Sequence, residues 1–309
     1  MILTNNRQVS IGKSVIAVVV TYNPVLLELQ CQLEALVPQV QAVVIVDNAS
    51  KENIAVWNSG LTTCAQEVIL LDENYGVGAA HNRGIAWAKL MGACFVLLMD
   101  QDSVPEPDMV TALVSAYEKV SLKGHQVGAV GSQYLQQGAL SGFFIYSVPR
   151  EERIVHSPVG VSAVECEILI SSGTLIPVAV LDEVGCMDEA LFIDYVDVEW
   201  CLRAVSKGYM LFGATGAIMS HHLGSELAAF WLLGFRQVPV HHSSRYYYMV
   251  RNSLLLLKRR YPPLAWKRYE LGRLFRLFLV FGLCVPERYK RLFMMMKGLL
   301  DGLVGRIGK

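Results

Sequence analysis

The fold is decided by the stretch Leu-Leu-Met-Asp-Gln-Asp-Ser-Val at residues 97–104, in which two carboxylates follow an apolar run. Residues 94–99 are continuously apolar, which is typical of a central parallel strand covered on both faces. Side chains that follow such a strand lie at its carboxyl end, where open α/β sheets bind ligands. The sequence therefore predicts that Asp100 and Asp102 lie at the ligand-binding edge of a sheet.

Two carboxylates this close can bind a hard divalent cation. Mg²⁺ and Mn²⁺ prefer oxygen ligands, and Mg²⁺ usually completes its shell with water and substrate phosphates. Asp-x-Asp is also common in turns, with Ser103 and Pro105 as further turn residues. The pair alone therefore leaves a metal-diphosphate site and an acidic turn as alternatives.

The first half of the chain alternates apolar runs with segments of helical spacing. This order predicts a parallel sheet, with strands at residues 15–20, 42–46, 68–71 and 94–99 and helices at 26–36 and 109–120. A further helix begins in the glycine-rich segment after the third strand and is completed by residues 85–91. The second strand ends at Asp47 and Asn48. In that position Asp47 can accept from a base or ribose, or form an Asx turn, and both interpretations stay open.

A glycine-rich segment at residues 74–84, Asn-Tyr-Gly-Val-Gly-Ala-Ala-His-Asn-Arg-Gly, follows the third strand. Glycines at the start of a helix allow a close approach, and the amides there can meet phosphate. The segment is neither G-x-G-x-x-G nor a P-loop. This argues against Rossmann dinucleotide binding and Walker-type hydrolysis.

A second acidic group lies at residues 191–203, where a helix is predicted from about Val196. Glu199 and Arg203 are spaced to pair on one helix face. Asp194 and Asp197 lie at the helix start, where an unpaired carboxylate can remove a proton from a hydroxyl. Alternatively, both acids stabilise the helix dipole.

Three further segments carry polar groups. A strand at residues 167–177 is interrupted by Ser171-Ser172-Gly173, which indicates a bulge or a close approach. His221 and His222 follow short strands at 209–212 and 217–219 and can offer an imidazole to a metal. A helical stretch from Arg245 places Tyr247 and Arg251 on one face, and arginine suits a diphosphate.

Charge is unevenly distributed along the 309 residues. Residues 1–244 hold 12 Lys/Arg and 24 Asp/Glu, whereas residues 245–309 hold 15 Lys/Arg and 3 Asp/Glu. A basic tail of +12 indicates an anionic partner or complements the acidic body. No nucleic-acid-binding motif accompanies it. The seven cysteines include no CxxC pair and the N-terminus lacks a signal-peptide core, which together predict reduced thiols in a cytosolic protein.

Together these stretches resemble the inverting glycosyltransferases of the large GT-A family 2, and are most similar to bacterial rhamnosyltransferases. The matching residues are Val-Val-Thr-Tyr-Asn-Pro at 19–24, Val-Asp-Asn-Ala-Ser at 46–50, the glycine-rich segment at 74–84, Asp-Gln-Asp-Ser at 100–103, Ser-Ser-Gly at 171–173, residues 192–203, His-His-Leu-Gly at 221–224 and residues 245–252.

The resemblance implies an α/β GT-A fold with a mixed, mainly parallel sheet and a helical C-terminal region. Residues 1–244 would form the catalytic domain, with a nucleotide-binding part at about 12–130 and an acceptor part at about 131–244. The region 245–309 would be basic and helical. The implied activity is transfer of L-rhamnose from dTDP-β-L-rhamnose to a hydroxyl of a growing, lipid-linked bacterial surface glycan.

The resemblance also implies roles for individual residues. Asp102, with Asp100 and either His221 or His222, would hold Mg²⁺ or Mn²⁺. Asp197 would be the general base, although the family's usual Glu-Asp pair reads Val196-Asp197 here, which leaves Asp194 as an alternative base. Further substrate-binding residues would be Thr21, Tyr22, Asn23, Asp47, Asn48, Asn74, Gly76, Gly78, Asn82, Arg83, Gln101, Ser172, Gly173, Glu199, Arg245, Tyr247 and Arg251.

The C-terminal helix from Glu287 is amphipathic. Leu292, Met296, Leu299, Leu300, Leu303, Val304 and Ile307 share one face. Such a helix can lie in a membrane interface, which would suit a lipid-linked acceptor at the inner face of the bacterial cytoplasmic membrane. Gly298, Gly302 and Gly305 weaken the helix, and packing on the catalytic domain or on a second subunit explains the pattern equally well.

Two other functions stay open at this point. One is the same fold with a different donor, such as a UDP-hexose. The other is a catalytically inactive glycan-binding or scaffold protein.

Overall fold

The computed structural model describes residues 14–136, 138–148, 154–155, 161–221, 226–231, 235–285 and 287–309, with the backbone alone at 136, 221, 226–231, 235–239, 283 and 284. The strands are β1 (Val15–Thr21), β2 (Ala42–Asp47), β3 (Glu67–Leu70), β4 (Phe95–Asp100), β5 (Ser103–Pro105), β6 (Val127–Gln136), β7 (Ala139–Leu140), β8 (Phe143–Phe144), β9 (Ile154–Val155), β10 (Ala163–Cys166), β11 (Thr174–Pro177), β12 (Met210–His221), β13 (Glu226–Trp231) and β14 (Phe235–Val240). The helices are α1 (Leu26–Leu36), α2 (Ile54–Ser59), α3 (Val77–Leu90), α4 (Met109–Ser121), α5 (Val178–Val184), α6 (Val196–Ser206), α7 (Ser243–Lys258), α8 (Leu264–Leu279) and α9 (Arg288–Val304).

One mixed sheet organises the described residues, in the order β10-β12-β6-β11-β4-β1-β2-β3. Strands β3, β2, β1 and β4 run parallel, and β11 pairs antiparallel with β4 and β6. This confirms the predicted fold class, and the predicted strands at 15–20, 42–46, 68–71 and 94–99 correspond to β1–β4.

The apolar runs are explained by two cores, one on each face of the sheet. Along β1, Ile16 and Val18 belong to one core, and Ala17 and Val19 belong to the other. Every residue of β1 is buried. Because both faces are covered, each position of a central strand has to be apolar, and the polar side chains collect where the strands end.

Two predicted strand boundaries were wrong. Only Thr174–Pro177 of the predicted strand at 167–177 is a strand, because Gly173 has φ +74° and the Thr174 amide donates back to the Ser171 carbonyl at 3.1 Å. The two short strands predicted at 209–212 and 217–219 form one strand, β12, whose register against β6 shifts between Gly213 and Ile218.

The C-terminal region is helical, as predicted, and α9 packs on α7 through glycines. A Cβ on Gly298 would lie 2.4 Å from the Tyr247 carbonyl oxygen, and one on Gly302 would lie 2.9 Å from the Leu254 side chain. Leu292 and Leu299 pack against the small core under this contact. The rest of the predicted apolar face is exposed: Met296, Leu300, Leu303, Val304 and Ile307. Within the part of the chain described, no helix combines the length and apolar composition required to span a bilayer.

Candidate active site

A pocket of about 610 Å³ opens at the carboxyl ends of β1, β2 and β4. Its walls combine acidic residues, amides and aromatic rings. The lining residues are Val20, Tyr22, Asn48, Asn74, Gly76, Val77, Asp100, Gln101, Asp102, Tyr134, Ile170, Ser171, Phe192, Ile193, Asp194, Tyr195, Val196, Asp197 and Arg245. The two acidic segments singled out in the sequence therefore meet across one pocket.

The loop that carries Asp100 and Asp102 is held by buried polar side chains. The Gln32 amide donates to the carbonyl oxygens of Asp100 and Ser103, at 2.6 and 2.7 Å. The Asp100 amide donates to the Ser172 hydroxyl at 3.1 Å, and that hydroxyl donates to Ser103 at 2.8 Å. Ser172 is itself 1% exposed and does not line the pocket, so it positions the acidic loop.

Gly173, which directly precedes β11, allows this segment to pack closely against β4. Its φ is +74°, and a Cβ there would lie 1.9 Å from the Ser132 hydroxyl oxygen. The Gly173 amide donates to the Leu98 carbonyl at 2.8 Å. The close approach predicted for this glycine is therefore to protein, which brings β11 against the strand that ends in Asp100.

The carboxylates create a strongly negative pocket. Burial, together with the charges of Asp102 and Asp197 and against the opposing charge of Arg245, raises the pKa of Asp100 to about 7. Carboxylates that repel one another in a buried site attract a cation. The electrostatics of the pocket therefore favour a bound positive charge beside Asp100.

The donor set suits a cation that shares its ligands with substrate. Among the described side chains, no group of three or more His, Cys, Asp or Glu is arranged to hold a metal ion alone. Asp100 and Asp102 supply two carboxylates, which fits Mg²⁺ or Mn²⁺ completed by water and phosphate oxygens. The backbone of His221 pairs with Ser103 at the same edge, and His222 lies outside the described residues.

The second acidic segment is held in an unusual backbone conformation. Phe192, Asp194 and Tyr195 have φ between +61° and +67°. Such residues cost of order 1–3 kcal/mol each and persist only where the surroundings fix them. The Asn252 amide donates to the carbonyls of residues 191, 193 and 194, at 2.8 to 2.9 Å. Asn252 on α7 thus holds this segment against the pocket.

The two candidate bases differ in their partners. The Arg245 guanidinium pairs with the Asp194 carboxylate at 2.9 Å. Asp197 accepts from the Val198 amide at 2.8 Å, and burial raises the pKa of its carboxyl. An ion pair stabilises the charged carboxylate of Asp194, whereas burial makes Asp197 a better proton acceptor.

Loops after β1, β2 and β3 form the opposite wall. The Asn48 side-chain oxygen accepts from the Tyr75 amide at 2.9 Å, and that of Asn74 accepts from the Gly76 amide at 3.0 Å. Gly76 has φ +91°, and a Cβ there would lie 2.3 Å from the Phe192 carbonyl oxygen. The glycine therefore lets the two walls of the pocket approach each other.

Asp47 lies just outside this wall and organises its loop. Its carboxylate accepts from the Thr21 hydroxyl at 2.7 Å and from the Ser50 amide and hydroxyl, at 2.8 and 2.5 Å. The Asn23 side chain accepts from the Lys51 amide at 3.0 Å. Thr21, Asn23 and Asp47 do not line the pocket, and the contacts of Asp47 are those of the Asx-turn interpretation.

Six further predicted site residues lie outside the pocket lining. The Asn82 side chain bonds the backbone of Met187, and a Cβ on Gly78 would lie 3.1 Å from the Asp188 carbonyl oxygen. Arg83 is exposed. Glu199 pairs with Arg203 as predicted and also with Arg259. The remaining two, Tyr247 and Arg251, bond Asp301 and the carbonyls of Leu191 and Gly308.

Several lining residues were not predicted as site residues. Phe192 and Tyr195 were inside the quoted segment, but nothing in the sequence distinguished their aromatic rings from core residues. Phe192 stacks on Tyr248 with ring centroids 5.1 Å apart. Tyr134 lies on β6, which runs from Val127 to Gln136, whereas the sequence predicts a strand only at residues 127–130.

Comparisons with known proteins agree with this arrangement. The model of Glycosyl transferase family 2 matches residues 16–139. The chain is 30% identical over 255 residues to the dTDP-rhamnosyl transferase RfbF of Shigella flexneri, covering 82% of this chain and 83% of RfbF.

Two solved structures share the fold at low sequence identity. S. aureus TarS 1-349 in complex with UDP-GlcNAc matches with a TM-score of 0.56 and 16% identity, over 95% of this chain and 81% of that one. GalNAc-T7 with UDP, GalNAc and Mn²⁺ matches with a TM-score of 0.53 and 15% identity, over 68% of this chain and 44% of that one.

The sheet, its acidic edge and these similarities define an enzyme of the GT-A class that transfers a sugar. The chain belongs to glycosyl transferase family 2.

Proposed function

We propose that this glycosyltransferase moves L-rhamnose from dTDP-β-L-rhamnose, with inversion, to a hydroxyl of a lipid-linked bacterial surface glycan. The observation that carries the proposal is the pocket in which the pair Asp100 and Asp102 faces Asp197. An inverting transfer needs a site for the leaving diphosphate and a base on the opposite side of the sugar. The similarity to RfbF over 82% of the chain supports the rhamnosyl donor.

The leaving diphosphate would lie beside Asp100 and Asp102, which would hold Mg²⁺ or Mn²⁺ together with it, with Asp102 as the direct ligand. His221 and His222 stay proposed as further ligands. The metal ion supplies charge stabilisation for the departing diphosphate. Arg245 faces the same pocket and adds a fixed positive charge. The Mn²⁺ in the GalNAc-T7 structure supports a divalent ion in this fold.

Asp197 would remove the proton from the acceptor hydroxyl. Its carboxylate accepts from the Val198 amide, whereas the Asp194 carboxylate is paired with the Arg245 guanidinium. Asp194 would therefore position Arg245, which leaves Asp197 free to take the proton. Asn48, Asn74 and Gly76 would line the nucleotide side of the pocket.

A lipid-linked acceptor would bring the protein to the inner face of the cytoplasmic membrane. The outer faces of α8 and α9 expose Leu271, Phe275, Tyr289, Phe293, Met296, Leu300, Leu303, Val304 and Ile307. Residues 245–309 carry 15 Lys/Arg and 3 Asp/Glu, so this surface suits an anionic bilayer.

Vesicle sedimentation tests the membrane contact. The protein should bind vesicles containing phosphatidylglycerol more tightly than pure phosphatidylcholine vesicles, and Phe293→Glu should weaken that binding. Leu122→Glu is the matched control, because Leu122 directly follows α4 and is 87% exposed. Equal binding to both vesicle types, or a dimer that buries these helices in sedimentation velocity, would argue against it.

The transfer itself is tested by dTDP release and by the linkage formed. Wild-type protein should consume dTDP-β-L-rhamnose and give an α-rhamnoside, identified by NMR. Asp197→Asn should lower kcat by about 10²- to 10⁴-fold, as expected for loss of a general base, with little change in the melting shift that dTDP-rhamnose produces. Asp194→Asn is the matched control and should lose less than about tenfold.

Three results would count against the proposal. A larger loss of kcat in Asp194→Asn than in Asp197→Asn would make Asp194 the base. Turnover of a UDP-hexose in preference to dTDP-rhamnose would remove the donor. Unchanged function in Asp197→Asn and Asp102→Ala would indicate a glycan-binding or scaffold protein.

A further inference from the structure

A second cavity of about 310 Å³ adjoins the candidate active site. The two share Asp194, Tyr195 and Asp197, so the candidate base lies at their boundary. The remaining lining residues come from β8, α6, the C-terminal helices and the loop before β11: Phe144, Ile168, Val198, Met249, Trp266, Tyr269, Glu270 and Arg273. A basic C-terminal helix, α8, therefore forms one wall of a cavity beside Asp197.

Four aromatic side chains, Phe144, Tyr195, Trp266 and Tyr269, line this second cavity, which we call the aromatic cavity. Phe144 and Tyr269 face each other with ring centroids 5.2 Å apart and an interplanar angle of 55°. Trp266 is 1% exposed and forms a buried part of the wall, and Tyr195 comes from the strained segment. Ligand sites are commonly lined by aromatic and apolar side chains with a few fixed polar groups. One face of a pyranose ring consists of C–H groups, which pack on aromatic rings.

The polar groups of the cavity are fixed by a buried network. Glu270 is 1% exposed and accepts from the Ser253 hydroxyl at 2.6 Å. Arg273 donates from Nε to both Glu270 oxygens at 3.0 Å, and its Nη2 donates to the Tyr195 hydroxyl. The Arg273 side chain is 26% exposed and lines the cavity. The network also fixes Tyr195 between the two cavities.

A third cavity, of about 470 Å³, shares Tyr269 with the second one. Besides Tyr269, it is lined by Tyr146, Ser147, Val148, Ala265, Arg268, Gly272 and Arg276. Arg268 and Arg276 are exposed and lie four residues on either side of Gly272, so they share one face of α8. The aromatic cavity beside the candidate base therefore adjoins, at Tyr269, a cavity lined by a pair of arginines.

The direction of the reaction assigns these cavities to the acceptor, an argument that rests on the proposed function. The diphosphate leaves beside Asp100 and Asp102, so an inverting attack comes from the opposite side of the donor sugar. Asp197 accepts the proton there, while the acceptor oxygen bonds to the anomeric carbon and the bond to the diphosphate breaks with its electron pair. The aromatic cavity is lined by Asp197 but not by Asp100 or Asp102, so it adjoins the candidate base and not the diphosphate site.

We propose that the aromatic cavity beside α8 binds the terminal pyranose of the acceptor and that Arg268 and Arg276 bind a phosphate group farther along the same acceptor. Tyr269 lies between the two cavities and contacts both parts. Arginine forks bind phosphate oxygens well. The acceptor is therefore a phosphorylated glycan rather than a neutral one.

Isothermal titration with short synthetic acceptors tests this assignment. The probes are butyl glycosides of rhamnose and N-acetylglucosamine, and the butyl diphosphate esters of the same sugars. A butyl chain is too short to cover the exposed apolar faces of α8 and α9. Each titration uses full-length protein saturated with dTDP and Mg²⁺, and the melting shift produced by dTDP-rhamnose is recorded for every variant.

Tyr269→Ala should weaken binding of both members of a probe pair by about tenfold. Arg268→Gln combined with Arg276→Gln should weaken only the diphosphate ester, also by about tenfold or more. Tyr289→Ala and Arg288→Gln are the matched controls, because both residues are exposed on α9 outside the cavities. The controls should bind all probes like the wild type.

Two results would overturn the assignment. One is wild-type protein that responds to dTDP-rhamnose but binds no probe. The other is Tyr269→Ala that binds the probes as tightly as wild type. Failure of the proposed function is seen separately, as the absence of any melting shift with dTDP-rhamnose. A Tyr269→Ala protein that keeps the dTDP-rhamnose shift is folded and loses the acceptor alone.

Discussion

Protonation of His81 should destabilise the fold, because this side chain is completely buried in α3. Neither ring nitrogen has a hydrogen-bond partner among the described residues. Burial lowers the pKa of His81 from 6.5 to about 4. The unfolded chain therefore binds a proton between pH 6.5 and pH 4 that the folded chain does not bind. Over this range the free energy of unfolding rises with pH.

The size of the effect follows from the two pKa values. At pH 5 the unfolded histidine is almost fully protonated, whereas the folded one is almost neutral. One pKa unit corresponds to about 1.4 kcal/mol, so this group costs about 2 kcal/mol of stability between pH 7.5 and pH 5. In a chain of this length the loss corresponds to a melting temperature lower by about 4 °C.

The perturbation is His81→Leu, which keeps the volume and removes the titrating ring. Urea unfolding of wild type and variant is followed by circular dichroism at pH 7.5, 6 and 5. The variant should gain stability relative to wild type as the pH falls, by about 2 kcal/mol at pH 5. His125→Gln is the control, because the His125 side chain is exposed. A wild type and His81→Leu with parallel pH profiles would refute the reasoning.

Three other variants test contacts that shape the site and the C-terminal region. Gly76→Ala should cost about 1–3 kcal/mol of stability and abolish stabilisation by dTDP-rhamnose, because the new Cβ would meet the Phe192 backbone. Its control is Gly92→Ala, where φ is +75° and a Cβ would meet nothing within 4 Å, so stabilisation by dTDP-rhamnose should stay intact. Gly298→Ala should lower the melting temperature, because its Cβ would lie 2.4 Å from the Tyr247 carbonyl oxygen. Its control is Gly272→Ala, whose nearest contact would be 3.4 Å away and which should be neutral or stabilising by up to about 1 kcal/mol. Glu199→Gln should cost about 3 kcal/mol in urea unfolding, because Arg203 and Arg259 lose a partner that is 1% exposed, and a cost below about 1 kcal/mol would contradict this.

The fold was largely predictable because buried parallel strands need long apolar runs. The runs at residues 15–20 and 94–99 could only be satisfied with apolar cores on both faces, which is what β1 and β4 have. The acids after those runs had to lie at the sheet edge for the same geometric reason. Local rules were enough here, since each strand and its loop are contiguous in the sequence.

Local rules could not rank the two candidate bases. Asp194 and Asp197 are three residues apart in the sequence, and their difference comes from Arg245, which is 51 residues from Asp194. The same limit applies to Arg251. Its helical spacing with Tyr247 indicated a diphosphate contact, but its guanidinium donates to the Leu191 carbonyl at 3.1 Å and is completely buried.

The aromatic cavity was also beyond prediction from spacing. It joins Phe144 on β8 to Trp266 and Tyr269 on α8, and these segments are more than a hundred residues apart. On a helical wheel, α8 reads as a helix with apolar residues on several faces. The faces of α8 can be told apart only in the structure. Leu274 and Leu277 pack in a core, whereas Leu271 and Phe275 are exposed on the outer face.

The central claim is that this pocket binds a thymidine diphosphate sugar through a metal held by Asp102. Differential scanning fluorimetry with dTDP-rhamnose, dTDP and UDP-GlcNAc, each with and without Mg²⁺, tests it most directly. In the presence of Mg²⁺, dTDP-rhamnose at a hundred times the dissociation constant of dTDP-rhamnose should stabilise the wild type by about 2.7 kcal/mol. The account also predicts that Mg²⁺ removal or Asp102→Ala abolishes the shift. Stronger stabilisation by UDP-GlcNAc, or no shift with any nucleotide, would contradict the account.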